Sequence, residues 1–267
     1  LKAAQLDQWL KKIADTELVA FDTETTSLSY MEAEIVGVSI AVAAGEACYI
    51  PLAHQYPGAP QQLNRKVVLA KLKPWLEAAD KAKVGHHLKY DAHVLTNHGI
   101  NMRGMAYDTM LESYVLDSTA TRHDMDSVAR KYLGIDTIHY EDVAGKGVKQ
   151  LRFDEVEIER ASPYAAEDAD VTLQLHNELW SKLTKNKKLT KLYEEIEQPL
   201  VQVLKQIEGN GVLVDAGLLG KQSKEITKKL ATLEKQAHKE AGHDFNLSSP
   251  KQLQQILFEQ LELPVIR

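Results

Sequence analysis

The chain has 267 residues, of which 44% are hydrophobic and 26% are charged, a composition typical of a globular protein with one sizeable core and a second, smaller unit. Its single cysteine excludes an internal disulfide, and the lack of cysteine pairs argues against thiolate zinc sites and for a reducing compartment, so we expect a cytoplasmic protein. The net charge of −6 argues against nonspecific coating of nucleic acid, because Lys and Arg dominate such binding. A net negative charge is nevertheless compatible with a cluster of acidic residues that binds metal ions.

The ends of the sequence favour a piece of a longer chain. It begins with Leu1 rather than methionine, its opening residues lack the plan of a signal peptide, and its pattern continues up to Arg267. No apolar run approaches the length that spans a bilayer, so we expect no membrane partner.

The first elements in chain order are a helix and three strands. The apolar spacing predicts an amphipathic helix over residues 4–14 and a three-stranded meander over residues 18–22, 35–42 and 47–51. A loop rich in Pro, Gly and Gln over residues 55–62 then leads to a helix that ends near residue 79. A short strand over residues 83–85 precedes a helix that carries Asp91.

Strands and helices alternate in the next part. Thr109 and Glu112 fit a capping box that starts a helix, and the helix over residues 124–132 should end at Gly134. The glycines and lysines of residues 139–150 predict a mobile loop. Ser162 followed by Pro163 resembles a helix start and predicts that the helix carrying Tyr164 and Asp168 begins there.

Beyond about residue 191 the pattern is helical with little strand content, so we predict two domains, residues 1–190 and 191–267. A helix over residues 196–208, the turn signal of Asn210 and Gly211, and a helix over residues 216–241 follow in order. Ser249 and Pro250 predict a further helix start.

Acidic residues stand at positions where a carboxylate needs an explanation. Asp22 and Glu24 follow the buried run of residues 18–21, and the period of a strand places both on one face. Asp168 lies on the apolar stripe of a helix together with Tyr164. An uncompensated buried carboxylate is costly, and bound cations would offset that cost. The alternative for each acid alone is a solvated residue or a helix cap, and Asp91 in particular fits a surface position.

Four such carboxylates suit the hydrolysis of a phosphodiester. Two divalent ions can supply an activated water and relieve the charge of the leaving oxygen. Oxygen ligands favour Mg²⁺ or Mn²⁺.

Three segments of the sequence resemble the motifs of a known family. Residues 21–25 (FDTET), 88–91 (LKYD) and 164–170 (YAAEDAD) are similar to the three motifs of the proofreading 3′-5′ exonuclease domains of bacterial family A DNA polymerases. Residues 108–114 and 122–126 resemble the sequence between the second and third motifs. Residues 245–253 (FNLSSPKQL) resemble the start of the polymerase thumb, so the resemblance covers nearly the whole chain.

The resemblance implies an α/β fold, a ribonuclease H-like mixed sheet flanked by helices, followed by an all-α segment at the start of the thumb. It implies that Asp22, Glu24 and Asp168 hold one metal ion while Asp22 and Asp91 share a second. Tyr164 would orient the attacking water. The spacing of Tyr164 and Asp168 supports this independently, because residues i and i+4 share a helix face.

The resemblance also implies residues that bind the substrate, a single-stranded or frayed DNA 3′ end. Leu28 would wedge against the terminal base and Phe153 would pack on the last nucleotides, with Thr25 and His87 as further contacts. A loop leucine and a core phenylalanine are the alternative interpretations. His87 stands where the family has asparagine; if His87 and Asp91 are one helical turn apart, they offer two Zn²⁺ ligands, which is too few for a structural site.

The leading hypothesis is therefore a two-metal 3′-5′ exonuclease that proofreads DNA as part of a bacterial, nucleoid-associated polymerase. Its partners would be the DNA end and the palm and fingers of the parent chain, and we expect a monomer. The family's polymerase motifs would lie beyond Arg267, so we expect no primer extension by this chain. Two alternatives are an RNA-trimming exonuclease similar to ribonuclease D, which the thumb-like segment disfavours, and a non-catalytic scaffold, which the four carboxylates disfavour.

Overall fold

The structure, a computed structural model, describes residues 3–264. Contacts divide the chain into two compact units, the first ending at Asn210 and the second beginning at Gly211. Within the described residues, no helix is long and apolar enough to cross a membrane.

The first unit is built on a five-stranded mixed sheet in the order β3-β2-β1-β4-β5. The first three strands form the predicted antiparallel meander, and β4 and β5 join it in parallel. The strands are β1 (Leu18–Thr25), β2 (Ile35–Ala43), β3 (Glu46–Pro51), β4 (Ala82–Gly85) and β5 (Met105–Asp108). The predicted mixed sheet is confirmed, whereas β5 was not predicted, since its four residues lie too close to the next helix to show a period.

Helices cover both faces of this sheet. The helices of the first unit are α1 (Ala3–Asp15), α2 (Arg65–Leu76), α3 (Leu88–Asn97), α4 (Thr109–Leu116), α5 (Met125–Tyr132), α6 (Tyr140–Ala144), α7 (Ile158–Leu183), α8 (Lys187–Leu192) and α9 (Gln198–Asn210). On one face, large side chains of β1 such as Val19 and Phe21 join a core with α1, α2 and α3. On the other face, Ala20 meets Ala169 of α7, and such small residues let α7 lie close to the strands.

Three predictions about helix starts and loops were wrong. The helix that carries Tyr164 and Asp168 begins at Ile158, not at Ser162, and Pro163 lies inside it. Pro163 is the sixth residue of this helix and is exposed, and its missing N–H leaves the carbonyl of Glu159 without its usual partner in the helix. Residues 140–144, predicted as part of a loop, form α6. The cap of α4 is Asp108 rather than Thr109.

Residues 191–210, which follow the predicted boundary at residue 190, belong to the first unit. Tyr193 is buried, and its hydroxyl accepts a hydrogen bond from the backbone N–H of Asp108 at 2.8 Å. Gln198 donates to the carbonyl of Met105 at 2.8 Å. These two side chains satisfy backbone groups of the edge strand β5, so the division in space comes at Asn210. The boundary between family domains at residue 190 stays a prediction.

The second unit consists of helices. Its long helix α10 (Ala216–Ala241) has the predicted bounds and is capped by Asp215, whose side chain accepts from the N–H of Leu218. The next helix, α11 (Pro250–Gln254), begins as predicted, with Ser249 as its cap and Pro250 in its first turn. A π-helical segment (Gln255–Gln260) continues it.

Candidate active site

Three of the predicted carboxylates lie together. One carboxylate oxygen from each of Asp22, Glu24 and Asp168 lies within 4.8 Å of the others, and this is the single group of at least three metal-ligating side chains found among residues 3–264. Asp22 and Glu24 come from β1, and Asp168 comes from α7. A cluster of this kind can bind a divalent cation through oxygen ligands.

The alternation of β1 explains this arrangement. Ala20 faces α7, so the period of two turns Asp22 and Glu24 to the same face. Phe21 faces the core with α3, and Thr23 follows it on that side, where it contacts Asp91 of α3. The end of β1 therefore contacts Asp91 of α3 on one face of the sheet and lies near Asp168 of α7 on the other.

The fourth carboxylate, Asp91, is held beside this cluster rather than within it. Its Oδ1 accepts hydrogen bonds from the backbone N–H of Thr23 at 2.9 Å and from the Thr23 hydroxyl at 2.6 Å. The side chain is 2% exposed, so Asp91 is not an ordinary surface residue. Its negative charge acts on Glu24, so the four acids form one electrostatic group.

The carboxylates of this group hold protons more tightly than usual. Burial raises the pKa of Asp22 from 3.8 to about 6. Burial and the charges of Asp22, Asp168 and Asp91 raise the pKa of Glu24 well above its ordinary value. Burial and the charge of Asp22 also raise the pKa values of Asp91 and Asp168. Such shifts indicate that a nearby positive charge would stabilise the ionised site.

Glu24 also has an unused oxygen. It is 8% exposed, and among the described residues no hydrogen-bond partner contacts its buried Oε1. Buried polar atoms are normally paired, and an exception suggests an absent ligand. The cluster therefore fits a bound divalent cation on its own geometry.

Tyr164 lies next to the cluster, one turn before Asp168 on α7. Hydrogen bonding by its hydroxyl partly opposes the rise in the pKa of Asp168. Burial and the charges of Asp168 and Glu24 raise the pKa of the Tyr164 phenol. The hydroxyl therefore stays protonated and can donate a hydrogen bond at the site.

Tyr49 packs against the strand next to Glu24, and sequence analysis did not predict this contact. Gly37 pairs with Glu24 in the sheet, and a Cβ at Gly37 would lie 2.1 Å from the Tyr49 hydroxyl. His54 bonds the carbonyl of Val156 through Nδ1 at 2.8 Å, so Nδ1 carries the proton and Nε2 accepts from Tyr49 at 2.7 Å. The glycine thus allows the tyrosine ring to pack beside the carboxylates.

Thr25 and Leu28, predicted to contact the substrate, lie at the end of β1 and three residues beyond it. Leu28 is 94% exposed, as an apolar contact for DNA would be. The Thr25 hydroxyl is hydrogen-bonded to the Tyr90 hydroxyl, which also donates to the carbonyl of Ser27 at 2.6 Å. Thr25 therefore orders the loop of Leu28, and contact of either residue with a substrate stays a prediction.

His87 precedes α3 in a left-handed conformation, with φ 65°. Asparagine and histidine both tolerate this conformation better than most residues, so the backbone explains why histidine can replace the asparagine of the family motif. Within the described residues, His87 belongs to no group of three metal-ligating side chains. Its predicted contact with a substrate stays a prediction.

Phe153 is 2% exposed, and it packs among Tyr49, Tyr140 and Tyr164. Tyr140 stacks on Phe153 with its ring 36% exposed, and the charge of Glu24 acts on its hydroxyl. Tyr140 is thus a partly exposed aromatic residue under the influence of Glu24, and the sequence analysis missed it because it lies in the segment predicted as a loop. The predicted role of Phe153 in substrate binding is untested.

Comparisons with known proteins identify the family of the chain. The family described as "3'-5' exonuclease" matches residues 1–184, and the family described as "DNA polymerase family A" matches residues 216–267. The chain is 60% identical over its full length to the DNA polymerase I of Pseudomonas aeruginosa, of which it covers 29%. It is 43% identical over 97% of its length to the DNA polymerase I of Rhizobium leguminosarum, of which it covers 27%.

A solved structure has the same fold. The POL domain of Pol1 from M. smegmatis, in a complex with DNA primer-template and dNTP, superposes with a TM-score of 0.75 over 99% of this chain and 41% of its own, at 24% identity. The chain spans less than a third of the curated relatives that it matches. The resemblance stated from the motifs is confirmed: the chain belongs to the 3′-5′ exonuclease family of the family A DNA polymerases.

Proposed function

We propose that this chain hydrolyses DNA from the 3′ end, one nucleotide at a time, as the proofreading module of a bacterial DNA polymerase I. The observation that carries the proposal is the cluster of Asp22, Glu24 and Asp168, with carboxylate oxygens within 4.8 Å of one another. Asp91 and Tyr164 adjoin it. A non-catalytic scaffold would not need three acids whose charges oppose one another in a buried site.

Two divalent ions, Mg²⁺ or Mn²⁺, would be held by these acids, since hard oxygen donors suit both ions. Asp22, Glu24 and Asp168 would hold one ion, and Asp22 and Asp91 the other. Zn²⁺ in one of the sites is an alternative that a metal titration can separate. When bound, such ions supply an activated water and neutralise the charge that develops on the leaving oxygen.

The residues of the chain itself would do the remaining work. The Tyr164 hydroxyl, protonated and hydrogen-bonded to Asp168, would orient the attacking water through its oxygen. Thr23 fixes one oxygen of Asp91, which leaves Oδ2 of Asp91 for a ligand. Fixed geometry of this kind lowers the barrier, since the reacting groups need not be reorganised.

The rim of the site suits an unpaired DNA end. Leu28, four residues after Glu24, is exposed, and Tyr140, on which the charge of Glu24 acts, is partly exposed. Apolar and aromatic side chains can stack on the bases of a single strand without sequence preference. Paired bases offer no free face, so we expect frayed or single-stranded ends to be preferred, delivered by the palm and fingers of the parent chain.

The neighbouring alternative is RNA trimming. The matches to DNA polymerase I and the polymerase family match over residues 216–267 argue for DNA instead. A preference for RNA requires a group that reads the 2′-hydroxyl, so relative rates on DNA and RNA strands of one sequence distinguish the two.

The test is cleavage of a 5′-labelled single strand with Mg²⁺. We expect stepwise shortening that stops on addition of chelator and is lost in Asp168→Ala. The matched control is Asp170→Ala, since Asp170 lies on the same helix but accepts from the backbone N–H of Gly45 and from Gln174 instead. Equal loss in both variants, or cleavage that survives the chelator, would refute the proposal.

A further inference from the structure

One buried carboxylate, that of Asp108, joins the starts of two helices. Its Oδ1 accepts from the backbone N–H groups of Met110 at 3.0 Å and Leu111 at 3.4 Å, which caps α4. The same carboxylate accepts from the N–H of His87 at 3.1 Å and, through Oδ2, from the N–H of Leu88 at 2.8 Å. Asp108 therefore caps α3 as well as its own helix.

The start of α3 needs this outside help. Its cap residue, His87, has a left-handed backbone, and within the described residues its own side chain makes no capping bond. A left-handed conformation is unfavourable for a residue with a Cβ unless its surroundings hold it. The first N–H groups of a helix also lack partners inside the helix. The Asp108 carboxylate satisfies two such groups where the chain turns into α3.

The position of this cap matters because Asp91 lies in the first turn of α3. The Asp91 side chain is fixed at its far end by Thr23 of β1. A single helical turn separates the start of α3, held by Asp108, from Asp91, held by Thr23. If the Asp108 bonds are lost, the first turn can shift or fray, and the carboxylate of Asp91 moves with it.

Asp108 itself is suited to support rather than to ligation. It is 2% exposed, and both of its oxygens already accept from backbone N–H groups. Its backbone N–H donates to the buried hydroxyl of Tyr193, which fixes the residue at the end of β5. A carboxylate held in this way has a defined direction.

We propose that Asp108 is a positioning residue that sets the location of Asp91 and thereby the affinity of the site for its second divalent ion. This inference rests on the proposed exonuclease function. Residues that orient metal ligands typically change metal affinity or activity by about 10- to 100-fold when removed. Asp108 also holds the backbone of His87, a predicted substrate contact, so the Mn²⁺ dependence rather than KM is the decisive readout.

The variant Asp108→Ser isolates the effect on α3. Serine is itself a good helix cap, so it can still cap α4, but it is too short to hold the N–H groups of His87 and Leu88. The matched control is Asp124→Ser, because Asp124 caps α5 through the N–H of Ser127 and α5 carries no acid of the site.

The experiment measures Mn²⁺ binding by loss of the free-ion electron paramagnetic resonance signal, and cleavage of a labelled single strand at rising Mn²⁺. We expect Asp108→Ser to weaken one class of Mn²⁺ sites, and to raise the Mn²⁺ needed for half-maximal rate, by about 10- to 100-fold. Excess Mn²⁺ should restore kcat, and Asp124→Ser should match the wild type in both measurements.

Each other outcome is decisive. Wild-type Mn²⁺ affinity in a folded Asp108→Ser variant would overturn the inference. An Asp108→Ser variant that circular dichroism shows to be unfolded would overturn it too, because the carboxylate would then serve folding rather than positioning. A wild type that neither binds Mn²⁺ nor cleaves DNA would instead refute the proposed function.

Discussion

Thr23 donates two hydrogen bonds to one oxygen of Asp91, from its backbone N–H at 2.9 Å and from its hydroxyl at 2.6 Å. Thr23 lies between Asp22 and Glu24 in β1, so one strand residue links the acids of the sheet to the acid of α3. The hydroxyl bond also opposes the rise in the pKa of Asp91.

We therefore predict that Thr23→Val lowers the cleavage rate about tenfold at limiting Mn²⁺, because it removes one of the two hydrogen bonds that hold Oδ1 of Asp91 and leaves only the backbone bond. Loss of a buried hydrogen bond should also lower the free energy of unfolding by about 1 kcal/mol. The control is Thr172→Val, since Thr172 is buried and among the described residues nothing bonds its hydroxyl. Cleavage rates at rising Mn²⁺ and denaturant melts of both variants check this prediction. Equal cleavage rates of Thr23→Val and Thr172→Val at limiting Mn²⁺ would contradict it.

The double variant Asp22→Ala with Glu24→Ala should abolish cleavage while the fold survives. It removes two ligands, yet it also removes two buried charges that repel Asp168 and Asp91. We expect the metal-free double variant to be at least as stable as the metal-free wild type.

The pH dependence of stability gives this prediction a sign. Burial raises the pKa of Asp22 to about 6 from 3.8, and the pKa values of Glu24 and Asp91 also rise. The folded metal-free protein then binds more protons than the unfolded chain, so its stability is present at low pH and falls as pH rises from about 4 through 6. Thermal melts in chelator at several pH values should show a smaller fall in the double variant. If the stability of the wild type and that of the double variant fall equally with pH, the raised pKa values of these acids are wrong.

Tyr164→Phe should reduce kcat by about 10- to 100-fold, which is less than the loss of an oxyanion-hole donor, because the acids remain. The ring stays in place, so KM should change little. The control is Tyr140→Phe. The Tyr140 hydroxyl donates to the carbonyl of Leu151, so its removal should leave the cleavage rate unaltered. Single-turnover kinetics separate the two. Full activity of Tyr164→Phe would make that tyrosine a packing residue.

Phe153 and Tyr140 should differ when each is changed to alanine. Phe153 is 2% exposed, so Phe153→Ala should cost about 3 to 5 kcal/mol of stability. Tyr140→Ala removes a half-exposed ring at the rim, and it should raise KM for a single strand with a smaller loss of stability. Melts and binding curves of both variants check this. If Phe153→Ala alone weakens DNA binding while the fold is unchanged, the sequence-based role of Phe153 is right.

The three-stranded meander and the acids of β1 and α7 were predictable from short periods in the sequence, whereas the role of Asp91 was implied by the resemblance of residues 88–91 to a family motif. Alternation in β1 brings Asp22 and Glu24 to one face, and a helical period aligns Tyr164 with Asp168 whether the helix begins at Ile158 or at Ser162. The wrong start at Ser162 followed from the interpretation of Pro163 as a first-turn residue, whereas the helix includes Pro163 as its sixth residue.

The remaining parts of the site depend on contacts between distant residues. Asp108 caps α3 across 20 positions of sequence, and the packing of Tyr49 on Gly37 requires the register of β2 and β3. Neither leaves a local signal. Tyr140 was missed because a helix of five residues, α6, is too short to show a period.

The most direct test of the central claim compares a linear single strand with a circular one of the same sequence, in Mg²⁺. A site that engages a 3′ terminus should shorten the linear 5′-labelled strand in single-nucleotide steps and leave the circle intact. Asp168→Ala should act on neither strand. Cleavage of the circle as fast as the linear strand would contradict the assignment of a 3′-5′ exonuclease site to Asp22, Glu24, Asp91 and Asp168.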